Sequence, residues 1–155
     1  MTFRILALPR EPFAHLAALS DPALAGRDIR RITVDECPGT PCRVSLEDAA
    51  VGETVYLLPW AHLVAASPYR ASGPIFVREA AIMADPEPGA VPDMIGRRLL
   101  SVRAYDAAGL MVTAEVLEGR DVADHLTALF ADDRVREAHL HFARQGCCGA
   151  RAVRA

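Results

Sequence analysis

The densest concentration of reactive side chains is the run Glu137-Ala-His-Leu-His-Phe-Ala-Arg-Gln-Gly-Cys-Cys-Gly149, which sets two imidazoles and two thiols within thirteen residues. Residues 137 to 143 alternate in polarity, the period of a strand with two different faces. That places Ala138, Leu140 and Phe142 on one face and Glu137, His139 and His141 on the other. With a rise of roughly 3.3 Å per residue, the two imidazoles lie about 7 Å apart at Cα and point the same way. Such a pair offers a metal two neutral nitrogen donors, suited to zinc, iron, copper or nickel. His139 and His141 are therefore candidate metal ligands, with a further donor expected from Cys147, Cys148, Cys42 or a carboxylate such as Glu53. The spacings match no standard zinc module. The competing reading leaves the pair on a half-exposed sheet face with no metal.

The thiols allow a second chemistry. Cys147 can act as a nucleophile with His139 or His141 as base, provided a neighbouring cation depresses its pKa. Adjacent cysteines make a poor disulfide, because side chains at i and i+1 point apart. Against both stands the ordinary role of cysteine as a small buried hydrophobe. Two loops punctuated by Pro and Gly, residues 36–43 and 67–74, carry or adjoin Cys42, Arg43, Tyr69, Arg70 and Arg78. Guanidinium groups on ordered loops clamp carboxylates or phosphates, or else pair with carboxylates of their own fold. These residues define a pocket reading, in which His141, Cys147, Arg70, Tyr69, Cys42 and Arg43 surround a small anionic metabolite. A third reading is a non-catalytic interaction protein, homodimeric through a strand edge. Neither a cofactor nor a reaction follows from these residues.

The elements that must position them form an α+β pattern: a mainly antiparallel sheet with two or three helices, in a single domain spanning 1–155. Residues 3–8 read as a first strand ended by Pro9, and Pro12 opens a helix bearing Phe13, Leu16 and Leu19. Ser20-Asp21-Pro22 stops that helix and starts another. Ile29, Ile32 and Val34 mark a second strand, and Ser45 is expected to cap a helical turn over 45–48. Residues 54–60 read as a core strand ended by Pro59, and 75–77 as a short strand after the second loop. Residues 85–92 are expected to form a surface excursion. Residues 99–105 and 110–117 form a hairpin turned by Asp106-Ala-Ala-Gly109. Its inward residues are expected to be Leu100, Val102 and Ala104 with Leu110, Val112, Ala114 and Val116, and Arg103 is expected to meet Glu115. Asp121 caps a helix carrying Val122, Leu126, Leu129 and Phe130, and 146–149 turn the chain into a last run over 150–154.

Composition narrows the classes. A chain of 155 residues, 52% hydrophobic, is long enough to bury a sizeable core. It contains no run of roughly 18 apolar residues of the kind a membrane helix needs, and no secretory leader pattern, so a cytoplasmic protein is expected. Four cysteines then point to free or metal-bound thiols, although spacing allows a Cys37–Cys42 bridge. All 17 basic residues are arginine, which excludes a Schiff-base lysine and a P-loop lysine. The net charge of −3 and the scattered arginines give no stripe for nucleic acid.

Several unusual strings occur together in one order. They are Pro-Gly-Thr-Pro-Cys-Arg-Val-Ser-Leu-Glu-Asp-Ala over 38–49, Gly52-Glu53, Ser-Pro-Tyr-Arg-Ala-Ser-Gly-Pro-Ile-Phe-Val-Arg over 67–78, and His-x-x-x-x-Gly-Cys over 141–147. In these the chain resembles the bacterial family catalogued as domain of unknown function 1203. The resemblance implies a small single-domain bacterial protein and brings no reaction with it. The family pattern carries one cysteine after the glycine and a polar residue, usually asparagine, after the histidine; here Cys148 and Phe142 stand at those neighbouring places. The resemblance thus places His141 and Cys147 on the family motif and argues against a Cys147–Cys148 redox pair.

Overall fold

The period-two runs build two sheets in the computed structural model, which describes residues 2–155. The larger sheet is made of β1 (Phe3–Leu6), β5 (Leu99–Tyr105), β6 (Met111–Glu118), β7 (Glu137–Phe142) and β8 (Cys148–Arg154), in the order β1-β8-β7-β5-β6. The smaller sheet is made of β2 (Arg30–Thr33), β3 (Thr54–Leu63) and β4 (Ala71–Arg78), in that order. Within both sheets the neighbouring strands are antiparallel. With the short helices α1 (Asp21–Ala25), α2 (Asp93–Gly96) and α3 (Val122–Leu129) and two 3-10 helices, Glu11–Ala18 and Gly119–Asp121, the fold is α+β.

Each sheet has its own core. Ala138, Leu140 and Phe142 of β7 join Leu100, Val102 and Ala104 of β5 beneath Ile95 of α2 and Val122 and Leu126 of α3. On the smaller sheet, Tyr56, Leu58, Ile75 and Val77 pack with Phe13 and Leu16 of the first 3-10 helix and Leu24 of α1. The Ser20 hydroxyl accepts from the Ala23 N–H at 3.4 Å, the cap that restarts the chain as α1.

Several expectations need correction. The strand over 54–60 does not stop at Pro59 but runs on to Leu63. β2 pairs with β3 only over Thr54 to Leu57, so β3 has a free edge beyond that point, and Pro59 lies opposite Pro74 of β4. Two residues without N–H groups are tolerated face to face only at a non-hydrogen-bonded position of the ladder. For the same reason, part of the expected second loop, Ala71 to Pro74, is strand. The turn after Ser45 is not helical, because Leu46 takes a left-handed φ of 53°, and the Ser45 hydroxyl accepts from Arg78 Nη1 at 3.1 Å instead of capping. Asp121 does occupy the position before α3, but its side chain makes no capping bond.

The hairpin also shifts. Its turn forms as read, with Gly109 at φ 74° and the Asp106 carboxylate accepting from the Ala108 and Leu110 N–H groups, both at 2.9 Å. A bulge beside Ala104 and Tyr105 then advances β6 by one residue, so that Arg103 lies opposite Ala114 and Glu115 opposite Val102. A one-residue slip exchanges the faces of a strand. Leu117 therefore packs on the core while Leu110, Ala114 and Val116 are exposed; Val112, the extra residue of the bulge, keeps the inward place expected of it, and Arg103 donates to the Ser101 hydroxyl rather than meeting Glu115. Residues 85–92 run along β1, held by the Gly89 N–H to the Phe3 carbonyl at 2.7 Å and by the Arg4–Asp85 pair. All four cysteines are free thiols, Cys37 exposed and Cys42 buried, with no bridge between them. No helix among the described residues is long and apolar enough to cross a membrane.

Candidate metal centre between the sheets

The alternation of β7 turns His139 and His141 away from the α3 core, but the face they occupy is not half-exposed. His139 is 0% and His141 1% exposed. β3 of the smaller sheet reaches that face and brings His62 against both rings, with ring centroids 5.4 Å from His139 and 4.9 Å from His141. Cys148, 6% exposed, completes the group. One donor atom from each of His62, His139, His141 and Cys148 lies within 4.8 Å of the other three.

Two bulges deliver two of these four side chains. On β3, Ala61 pairs with Ser72 and Leu63 with Ala71, so His62 is the extra residue of a bulge. On β8, Leu140 pairs with Ala150 and His141 with Cys148, which leaves Gly149 as the extra residue. Without that second bulge Cys148 would fall opposite Phe142 and point into the α3 core. The bulge returns it to the histidine face, since an inserted residue re-aims the side chains on one side of it. Gly149 suits this position by size: a Cβ there would sit 2.6 Å from Phe142 Cζ and 3.1 Å from the Leu140 carbonyl oxygen.

Hydrogen bonds fix the tautomers. His141 Nδ1 lies 2.9 Å from the Gly146 carbonyl oxygen, which only accepts, so Nδ1 carries the proton and Nε2 the lone pair. That Nε2 is buried without a hydrogen-bond partner among the described residues. His139 Nε2 lies 3.1 Å from Glu137 Oε1. The bonds from His139 and Arg151 hold the Glu137 carboxyl down at about 2, so it is ionised and accepts from Nε2, which makes Nδ1 the His139 nitrogen turned to the cluster. His62 Nδ1 faces that atom at 3.2 Å. Burial lowers the pKa of both His62 and His141 to about 4, which leaves the rings neutral at physiological pH, and burial pushes the Cys148 thiol up to about 12.

The other residues singled out in the sequence are placed as follows. Arg43, only 3% exposed, donates from Nε to the Cys148 carbonyl at 2.9 Å and from Nη2 to Cys147 Sγ at 3.2 Å. Cys147 therefore sits with Arg43, half-buried against the α3 core, rather than with the imidazoles. Cys42 lies at 0% exposure in the core of the smaller sheet, its sulfur accepting from the Ser45 and Arg78 N–H groups. Tyr69 stacks edgewise on Tyr105, whose ring is 5.0 Å from His139, so it stands at the outer rim of the cluster. Arg70 is exposed. Arg78 pairs with Glu53 at 2.8 Å and Glu47 at 2.9 Å, which makes Glu53 a partner of the loop rather than a neighbour of the imidazoles. The structure thus joins His139, His141 and Cys148, joins Arg43 and Cys147, and leaves Cys42 and Arg70 apart from either group.

Residues 39–154 match the model of a family described as "Protein of unknown function (DUF1203)". The chain belongs to the DUF1203 family. The matched segment contains His62, His139, His141, Cys148 and Arg43, the whole of the inter-sheet cluster. No curated protein and no solved structure matches the chain.

His62 is the member of the cluster that periodicity did not disclose. Pro59 suggested the end of the strand two residues before it, and a bulged residue carries no period-two signal. Its type was the only sign, since it is one of five histidines.

Proposed function

We propose that this protein binds a transition-metal ion through His62, His139, His141 and Cys148, and that zinc is the ion the donors suit best. The observation that carries the reading is the lone pair of His141 Nε2, buried, unprotonated and without a partner among the described residues, in a group whose donor atoms lie within 4.8 Å of one another. An unpaired buried acceptor is costly, and a cation removes that cost. The 3.2 Å between His62 Nδ1 and His139 Nδ1 is close to the edge of a tetrahedron with zinc–nitrogen bonds of roughly 2.0–2.1 Å, which is about 3.3 Å. A bound dication would also take the proton from the Cys148 thiol. Three nitrogens and one sulfur fill a tetrahedral sphere, the pattern of a structural ion rather than of one that keeps a position for water. The Arg151–Glu137–His139 chain supplies the carboxylate that orients a metal-bound imidazole.

The test is elemental analysis of protein purified without a histidine tag and equilibrated with zinc. About one zinc per chain is expected, falling to background in His141→Ala. Wild-type protein with no stoichiometric metal would overturn the proposal.

A further inference from the structure

A cleft of about 330 Å³ opens directly beside the cluster, with His62 and Cys148 in its lining. Its volume lies at the lower end of the range for small-molecule sites. Most of its wall is hydrocarbon, from Leu6, Leu8, Trp60, Val64 and Ile75, and no carboxylate lines it. The charged side chains in the lining are two arginines, Arg43 and Arg151. They differ in what balances them. Arg151 pairs with Glu137, whereas the Arg43 guanidinium donates to the Pro41 carbonyl, the Cys148 carbonyl and the Cys147 sulfur and lies 5.1 Å over the Phe142 ring, with no carboxylate among these partners. A guanidinium keeps its charge even when buried, and a buried charge without a counterion is strongly unfavourable.

We infer that this cleft binds a small apolar monocarboxylate, its hydrocarbon part against Trp60, Leu8 and Ile75 and its carboxylate at Arg43. Hydrocarbon walls select the tail, and the unbalanced guanidinium selects the head. The inference rests on the metal reading in one respect: a bound ion occupies the donors of His62 and Cys148, leaving Arg43, whose charge no carboxylate balances, as the group that selects the head. Because Arg43 Nε is bonded to the Cys148 carbonyl, a carboxylate held there would lie against the backbone of a metal ligand. Ligand and ion would then report on each other.

Trp60 is the single tryptophan of the chain and stands in the cleft wall, so its emission reads occupancy directly. The probe is 3-phenylpropionate, with 3-phenylpropan-1-ol as a neutral partner of the same shape, titrated into zinc-loaded and chelator-treated protein whose metal content is measured in the same samples. Isothermal calorimetry on those samples provides a second readout. Saturable binding of the acid, at least tenfold tighter than of the alcohol, is expected in the zinc-loaded protein. Arg43→Met should remove the preference for the acid, and Ala61→Phe, which narrows the cleft and replaces neither Arg43 nor a metal ligand, should weaken both probes in samples whose zinc content matches wild type. Equal affinity for acid and alcohol, or no binding by either readout in protein that carries one zinc, would overturn the inference while leaving the metal reading intact. Selective acid binding in protein that takes up no zinc would support the cleft and overturn the metal reading. If Arg43→Met fails to fold, the acid-to-alcohol ratio and Ala61→Phe decide.

Discussion

At the scale of single residues, the centre depends on which nitrogen carries the proton, and Glu137 sets that for His139. Replacing Glu137 by Gln keeps the shape but removes the charge that fixes the ring, and losing such a partner typically costs roughly 10–100-fold in metal affinity. Competition with a chromophoric chelator should show a loss of that size in Glu137→Gln, and unchanged affinity would mean that His139 is not a ligand. The two adjacent thiols separate just as sharply. Cobalt-substituted protein should show thiolate-to-cobalt charge-transfer absorption that disappears in Cys148→Ser and persists in Cys147→Ser. The reverse pattern would move the sulfur ligand to the residue that Arg43 holds.

At the scale of elements, the site is a product of irregularity. His62 and Cys148 are brought to the same place by bulges on strands of different sheets, and neither bulge has a sequence signature beyond the glycine at 149. Close backbone approach also decides the join between α2 and the second 3-10 helix. A Cβ on Gly119 would lie 2.2 Å from the Ile95 carbonyl oxygen and 2.7 Å from that of Arg98, where no side chain can move aside. Gly119→Ala should cost about 3 kcal/mol in chemical denaturation; a loss below about 1 kcal/mol would mean that the helix end yields. The loop over 43–53 is held by Arg78, whose bonds to Glu53 depress that carboxyl below its ordinary value of 4.5. A depressed carboxyl contributes stability that is complete above 4.5 and lost as the pH falls through the lower folded value. Glu53→Gln should therefore be less stable than wild type at neutral pH, with the difference fading below pH 4.5. A difference that persists at low pH would assign the effect to packing rather than to charge.

At the scale of the whole molecule, the metal would join the two sheets, since His62 belongs to the smaller and His139, His141 and Cys148 to the larger. A ligand that binds only the native state stabilises it by mass action, by about 4 kcal/mol when its free concentration is a thousandfold above Kd. Chelation should accordingly lower Tm, and stepwise addition of zinc should raise it in proportion to the logarithm of free metal. His62→Ala should abolish that dependence although the larger sheet keeps its own three donors. A Tm indifferent to zinc would show that the sheets hold together without it.

The sequence by itself determined the α+β class, the period of β7 and the shared face of His139 and His141, because side-chain alternation is a local property of extended backbone. It also determined the hairpin turn, through Asp106 and Gly109, and the restart of the chain as a helix at Ser20-Asp21-Pro22. Only the tertiary structure decided that the histidine face is covered, that His62 arrives there, and that Cys148 rather than Cys147 stands beside the imidazoles. Those outcomes depend on strand register, and register is set by packing between segments far apart in the chain, where one inserted residue exchanges one face for the other. Arg43 shows the same limit: its loop allowed either an anion clamp or a pairing with a carboxylate of the fold, and only the structure shows the side chain buried beside an apolar cleft with no carboxylate among its bonded partners.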